Sequence, residues 1–178
     1  MKKVILSVIS LSMLLVACSH DKEKQKETII YHEVNMEDGP LNVSSTMTQY
    51  NAHTGNNYSS TDSVKEFAAG NSFILPDSLK TKDVTVYISA WVRELQMPIE
   101  GGIAVSLNTS KGNVAWNVYQ NKNKENQSNT WVQIKDSVKF TSTLLNDPNA
   151  EIRVIGYKHL GSDKLDIDDI QIKYKFSK

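Results

Sequence analysis

Val84-Thr85-Val86-Tyr87-Ile88-Ser89-Ala90-Trp91-Val92-Arg93 is the stretch on which the fold turns. Its apolar residues recur at every second position. Val84, Val86, Ile88, Ala90 and Val92 share one face, and Thr85, Tyr87, Ser89, Trp91 and Arg93 share the other. Period two is the signature of a strand with one buried face. The pattern repeats over residues 103–108, with Ile103, Val105 and Leu107 predicted inward. Thr109-Ser110-Lys111-Gly112-Asn113 reads as a glycine-bearing hairpin loop. Residues 114–119 return as a strand. There the apolar set Val114, Trp116 and Val118 predicts a core-facing Trp116, and Ala115, Asn117 and Tyr119 take the other face.

Downstream, 120–130 is a polar loop, and 131–141 is a strand with Val132, Ile134, Val138 and Phe140 on one side. Residues 146–149 form a turn, 151–158 a strand and 161–163 another turn. The closing strand runs over 165–174. Its apolar parity switches between Ile167 and Ile170, which predicts a bulge at Asp168 and Asp169. Upstream the pattern is less regular. Residues 28–34 read as an edge strand, and 42–47 and 71–75 as further strands. Helical periodicity is not sustained anywhere. Many short strands separated by turns imply an all-β sandwich or barrel.

The N-terminus carries a different signal. Lys2 and Lys3 precede an apolar stretch of about thirteen residues, short of the roughly 20 that a membrane-spanning helix needs. The stretch has the size of a signal-peptide core. It closes on Leu15-Val16-Ala17-Cys18, and Cys18 is the only cysteine of the chain. This arrangement resembles a bacterial lipoprotein signal. The resemblance implies a signal peptide over 1–17, a lipid on Cys18, and anchoring to the outer membrane at either the cell surface or the periplasmic face. Acidic residues after such a cysteine resemble a surface-export signal, but Lys22 and Lys24 interrupt them here. Residues 19–28 contain no large apolar side chain, so 18–28 reads as a disordered tether. It reaches at most about 35 Å. The remaining 29–178 suffices for one domain with its own core.

Composition excludes several functions. The chain has 20 basic and 20 acidic residues. Loss of Lys2 and Lys3 with the signal leaves a slightly acidic protein, which argues against a nucleic-acid partner. No cysteine remains in the body to form a disulfide. The four histidines, at 20, 32, 53 and 159, have no zinc-ligand spacing. There is no G-x-S-x-G, P-loop or dinucleotide glycine pattern. Asp166 and Asp168 share a face like the paired acids of glycoside hydrolases, but no third acid completes the usual cluster. The chain therefore reads as a non-enzyme.

Five pieces in order resemble carbohydrate-binding-module-like jelly rolls of the galactose-binding-like type. They are Asn35-Met36-Glu37-Asp38-Gly39, then Ala52-His53-Thr54-Gly55-Asn56-Asn57-Tyr58-Ser59, Val86 to Val92, Thr130-Trp131-Val132-Gln133, and Ile167-Asp168-Asp169-Ile170-Gln171-Ile172. The resemblance implies a single β-sandwich jelly roll of two antiparallel sheets. It also implies a structural Ca²⁺ held by Glu37, by the backbone at Gly55, and by Asp168 or Asp169, since calcium takes hard oxygen ligands. It further implies a glycan on the sheet face opposite the core. Tyr87, Trp91, Arg93, Tyr119 and Gln133 are the expected contacts, because aromatic faces stack on sugar C–H faces and polar groups meet the hydroxyls. The other partner that fits is an envelope protein, with the sandwich serving a structural or adhesion lipoprotein.

Overall fold

The computed structural model describes residues 27–37, 46–49, 52–94, 101–120, 129–159 and 164–177. Cys18, the tether before residue 27, most of the polar loop at 120–130 and the turn at 161–163 lie outside the described residues.

The chain forms the predicted sandwich. Its strands are β1 (Thr28–Val34), β2 (Thr46–Gln49), β3 (Asn57–Ser60), β4 (Phe67–Ile74), β5 (Asp83–Glu94), β6 (Gly102–Thr109), β7 (Gly112–Tyr119), β8 (Val132–Phe140), β9 (Glu151–Tyr157) and β10 (Leu165–Ser177). Two single-turn helices interrupt them, α1 (Asp77–Lys80) and α2 (Ser142–Leu145). A four-residue helix is too short to show a period in sequence, so neither was legible there. One sheet runs β2-β3-β10-β5-β8, with β1 also on β10, and the other runs β4-β9-β6-β7. All pairings among the described residues are antiparallel.

The core is built by the alternation read from the sequence. Val84, Val86, Ile88, Ala90 and Val92 of β5 are all buried, and they face Ile103, Val105 and Leu107 of β6 across the sandwich. β6 is central in its sheet, and its outward residues Ala104 and Ser106 are small enough to be covered by their neighbours. The hairpin from β6 to β7 turns at Ser110-Lys111 and is closed by Thr109 opposite Gly112. Gly112 sits at φ +95°, a conformation glycine adopts without steric cost.

β10 holds the larger sheet together. Asp166 and Ile167 pair with β3, and residues 170–176 pair with β1, while the other edge pairs with β5 throughout. Between Asp168 and Gln171 the register to β5 shifts, and Asp169 takes φ 49°. This is the bulge predicted from the parity switch. It lets Leu165 and Ile167 before it, and Ile170, Ile172, Tyr174 and Phe176 after it, all point into the core.

One inward assignment is corrected. Trp116 is 41% exposed and Val114 is 40% exposed, whereas Ala115 and Tyr119 pack on the core. β7 is an edge strand, and its register to β6 shifts between Leu107 and Asn108. Its apolar residues lie on the outer face, where Trp116 meets Tyr157 at 5.1 Å and Phe67 at 6.3 Å between ring centroids. Counting apolar residues picked the wrong face because that outer face is itself aromatic.

Candidate functional site

The outer face of the larger sheet divides at the β10 bulge. Beyond the bulge, cross-strand register aligns Tyr31 of β1, Lys173 of β10, Tyr87 of β5 and Ser137 of β8 in one row. Glu33, Gln171, Ser89 and Lys135 form the next row. The two rows floor a cleft of ≈ 870 Å³. Tyr31 is 70% exposed and Tyr87 is 41% exposed. The Lys173 ammonium lies between them, 5.9 Å from the Tyr31 ring centroid and 5.4 Å from that of Tyr87. Both distances fall at the outer limit of a cation–π contact. Side chains directly opposite across neighbouring strands approach closely, so the row arises from period two on four strands at once. Tyr31 was missed in the sequence because β1 was read only as an edge strand. The signal was its alternation, with Ile29, Tyr31 and Glu33 on one face.

Before the bulge the same face is closed by packing. Trp91 is stacked by the His53 ring at 3.8 Å with an interplanar angle of 15°. Trp131 stands edge-on to His53 and Tyr58. Arg93 donates from Nε and Nη2 to Asp166 Oδ2 at 3.1 and 2.8 Å, and its guanidinium lies 4.6 Å from the Trp131 centroid. Asp166 is 1% exposed, and its Oδ1 accepts from Lys164 Nζ at 2.9 Å and from Ser60 Oγ at 2.8 Å. A buried carboxylate with four donor contacts is a brace between β3, β5 and β10. Arg93 therefore faces Asp166 and not the open cleft.

The other expected contacts separate. Gln133 is exposed on β8 and donates to Ser89 Oγ at 3.1 Å, so it borders the open face. Tyr119 belongs to the opposite sheet. Its ring packs on the core, and its hydroxyl donates to the Ser137 carbonyl at 3.4 Å across the sandwich edge. Burial, and then the charge of Asp136, pushes its phenol up. Of the five predicted contacts, only Tyr87 lies in the cleft, with Gln133 near its rim.

The expected calcium ligands do gather around one turn, but as hydrogen-bond acceptors. Glu37 Oε1 accepts from the Asn56 amide at 2.8 Å, and Oε2 accepts from Asn57 Nδ2 at 2.9 Å. Asp168 Oδ2 accepts from the His53 and Thr54 amides at 3.0 and 3.2 Å. Asp169 accepts from Thr54 Oγ1 at 2.8 Å and lies 2.8 Å from His53 Nδ1. Burial, and then the neighbouring charge of Asp169, raises the Asp168 carboxyl above its ordinary value. Gly55 takes φ +63°, and a Cβ there would come within 2.7 Å of Glu37 Oε1. N–H donors aimed at these oxygens suit carboxylates that staple the turn. Among the described residues no three His, Cys, Asp or Glu side chains group as metal ligands.

No family profile matches the chain, and no curated protein matches it in sequence. Solved structures do match in fold. The chain is similar to the CBM22-1 xylan-binding domain of Xyn10C from Paenibacillus barcinonensis, with TM-score 0.52 and 17% identity over 83% of this chain and 95% of that one. The CBM22-2 xylan-binding domain of the same protein gives TM-score 0.51 and 16% identity over 79% and 97%. The tandem of the two gives TM-score 0.53 and 17% identity over 79% of this chain and 48% of that one. At this identity the likeness establishes the sandwich fold.

Proposed function

We propose that the protein is a non-catalytic glycan-binding module, held at the bacterial outer membrane by a lipid on Cys18. One observation carries the glycan reading: the exposed Tyr31 and Tyr87 flank Lys173 on the floor of an open cleft. Clefts with aromatic walls and a few polar groups are the usual form of ligand sites. The likeness to two xylan-binding domains supports this reading and makes β-1,4-xylan the first probe. Asp166 and Asp168, the pair that resembled catalytic acids, are buried and engaged in structural hydrogen bonds, which favours binding without chemistry.

The test is affinity electrophoresis of the full chain in detergent through gels containing xylan or other soluble polysaccharides. Retardation should occur in at least one gel and be lost in Tyr87→Ala and Tyr31→Ala. Absence of retardation in every gel, or retardation that both variants keep, sinks the glycan site. The anchor rests on the sequence around Cys18. Metabolic labelling with a radioactive fatty acid should mark the wild type and not Cys18→Ser, and an unlabelled wild type refutes it. The second reading is an adhesion or structural lipoprotein. The exposed Phe67, Val114 and Trp116 on the smaller sheet favour it, since contiguous apolar surface marks protein contacts. Cross-linking in cells that traps a partner only with Trp116 intact would support this reading.

A further inference from the structure

We propose that the cleft selects glycans bearing carboxylate groups, with a uronate as the recognised sugar. The inference rests on the glycan reading and deepens it. Lys173 occupies the centre of the Tyr31–Lys173–Tyr87 row. Two other lysines of this face are neutralised: Lys139 pairs with Asp83 at 2.8 Å, and Lys175 pairs with Glu27 at 2.9 Å. Among the described residues, Lys173 has no ion pair, and its neighbours directly across are two neutral aromatic rings. Lys135 in the adjoining row likewise has no ion pair among the described residues. Two acids also line the cleft. Glu33 lies opposite Gln171, one row away from Lys173, and Asp136 lies on the edge strand β8, with its Oδ1 accepting from the Ser137 amide.

The chemistry of a uronate matches this arrangement. Its ring presents an apolar C–H face to a tyrosine, and its carboxylate accepts from an ammonium at the ring's edge. Tyr31 and Tyr87 stand two strands apart, about 10 Å. A chain crossing the strands can set one sugar on each ring and a carboxylate over the ammonium between them. An ammonium paired with a carboxylate forms a stronger, shorter hydrogen bond than one paired with a hydroxyl, so the charge discriminates where stacking cannot.

The experiment compares one polymer with its neutral twin. Glucuronoxylan, and the same sample after chemical reduction of its carboxyls to alcohols, are titrated against the full detergent-solubilised chain. Polygalacturonate and its reduced form make a second arm, which separates backbone uronates from pendant ones. Carboxyl reduction should weaken binding at least five-fold in one arm. Lys173→Gln should erase that difference by weakening binding of the carboxylate form at least five-fold more than that of the reduced form, and raising the salt should shrink the difference in the wild type. Equal affinity for both forms in both arms, with binding still lost in Tyr87→Ala, overturns the carboxylate preference and leaves the glycan reading standing. Failure of every polymer to bind overturns both.

Discussion

Truncation of Arg93 separates two roles for the residue. As a solvent-facing ligand contact it should be dispensable for folding, and its loss should change stability by no more than about 0.5 kcal/mol. As the partner of a buried carboxylate it should be essential. Asp166 is 1% exposed, and two of its four donors come from Arg93. Removing one member of a buried ion pair costs about 3–5 kcal/mol, because it strands the other charge. Lys164 and Ser60 remain on Oδ1 and compensate part of that loss, which places Arg93→Ala near the lower end, about 3 kcal/mol. For a domain of this size that corresponds to a melting temperature lower by about 6–12 °C. Urea unfolding followed by tryptophan fluorescence reads it directly, since Trp131 lies against the guanidinium. The midpoint should fall with little change in slope. The double substitution Arg93→Met with Asp166→Leu should recover part of the loss, because the apolar pair removes the stranded buried carboxylate while the partly exposed Lys164 turns to solvent. A cost for Arg93→Ala under about 1 kcal/mol, or a double variant no better than the single, would refute the brace.

Three further outcomes follow from particular groups. The Tyr174 hydroxyl is fully buried with no hydrogen-bond partner among the described residues, and burial pushes its phenol far above the ordinary value. Tyr174→Phe should therefore leave stability unchanged or raise it by about 1 kcal/mol in the same urea assay, and a clear loss means that the hydroxyl has a partner. Calcium should not matter if hydrogen bonds hold the 53–57 turn: melting with chelator and with millimolar calcium should agree within about 1 °C, whereas a native-state ligand at a hundred times its Kd would add about 2.7 kcal/mol. Glu151 is pushed up by burial, but hydrogen bonds from Ser72 and Arg153 outweigh this and hold its carboxyl below the usual range. A depressed folded value means that Glu151 stabilises the protein above its unfolded value of about 4.3 and that this contribution is lost as pH falls through the folded value. The stability gap between wild type and Glu151→Gln should thus be open at pH 6 and shrink progressively as the pH is lowered below about 4.3, and a gap that stays constant as the pH is lowered rules out the linkage.

The second half of the chain was legible because its strands are long and alternate. β5 and β6 announce their buried faces, and the parity switch in 165–174 located a bulge without any structure. The first half resisted for a physical reason. β3 is four residues, and two of its three buried residues are the serines 59 and 60. Those serines are buried because Ser59 Oγ accepts from the Ala69 amide and Ser60 Oγ donates to Asp166. Hydrophobic pattern cannot see a strand that is buried through polar pairing. The same blindness affected the site. Parity correctly put Tyr87, Trp91 and Arg93 on one face, but it carries no information about what covers that face. Trp91 was covered by His53, which is distant in sequence, and Arg93 was drawn to an acid 73 residues downstream.

The bulge explains why one half of that face is covered and the other is open. Before it, β10 pairs with β3, and the turn leading into β3 brings His53, Thr54 and Gly55 over the sheet. Asp168 and Asp169, at the start of the bulge, accept that turn's donors and hold it in place. After the bulge, β10 changes partner to β1, an edge strand with no further neighbour among the described residues and an outer face of Ile29, Tyr31 and Glu33. The same sequence paired without a bulge would have kept one parity throughout. Lys173 and Lys175 would then have pointed into the core, and Tyr174 and Phe176 into the cleft. The bulge therefore does two things at once: its aspartates fix the covering turn, and its extra residue is absorbed so that an ammonium, not an aromatic ring, stands between Tyr31 and Tyr87. The polarity of the cleft is set by the same residues that close the site beside it.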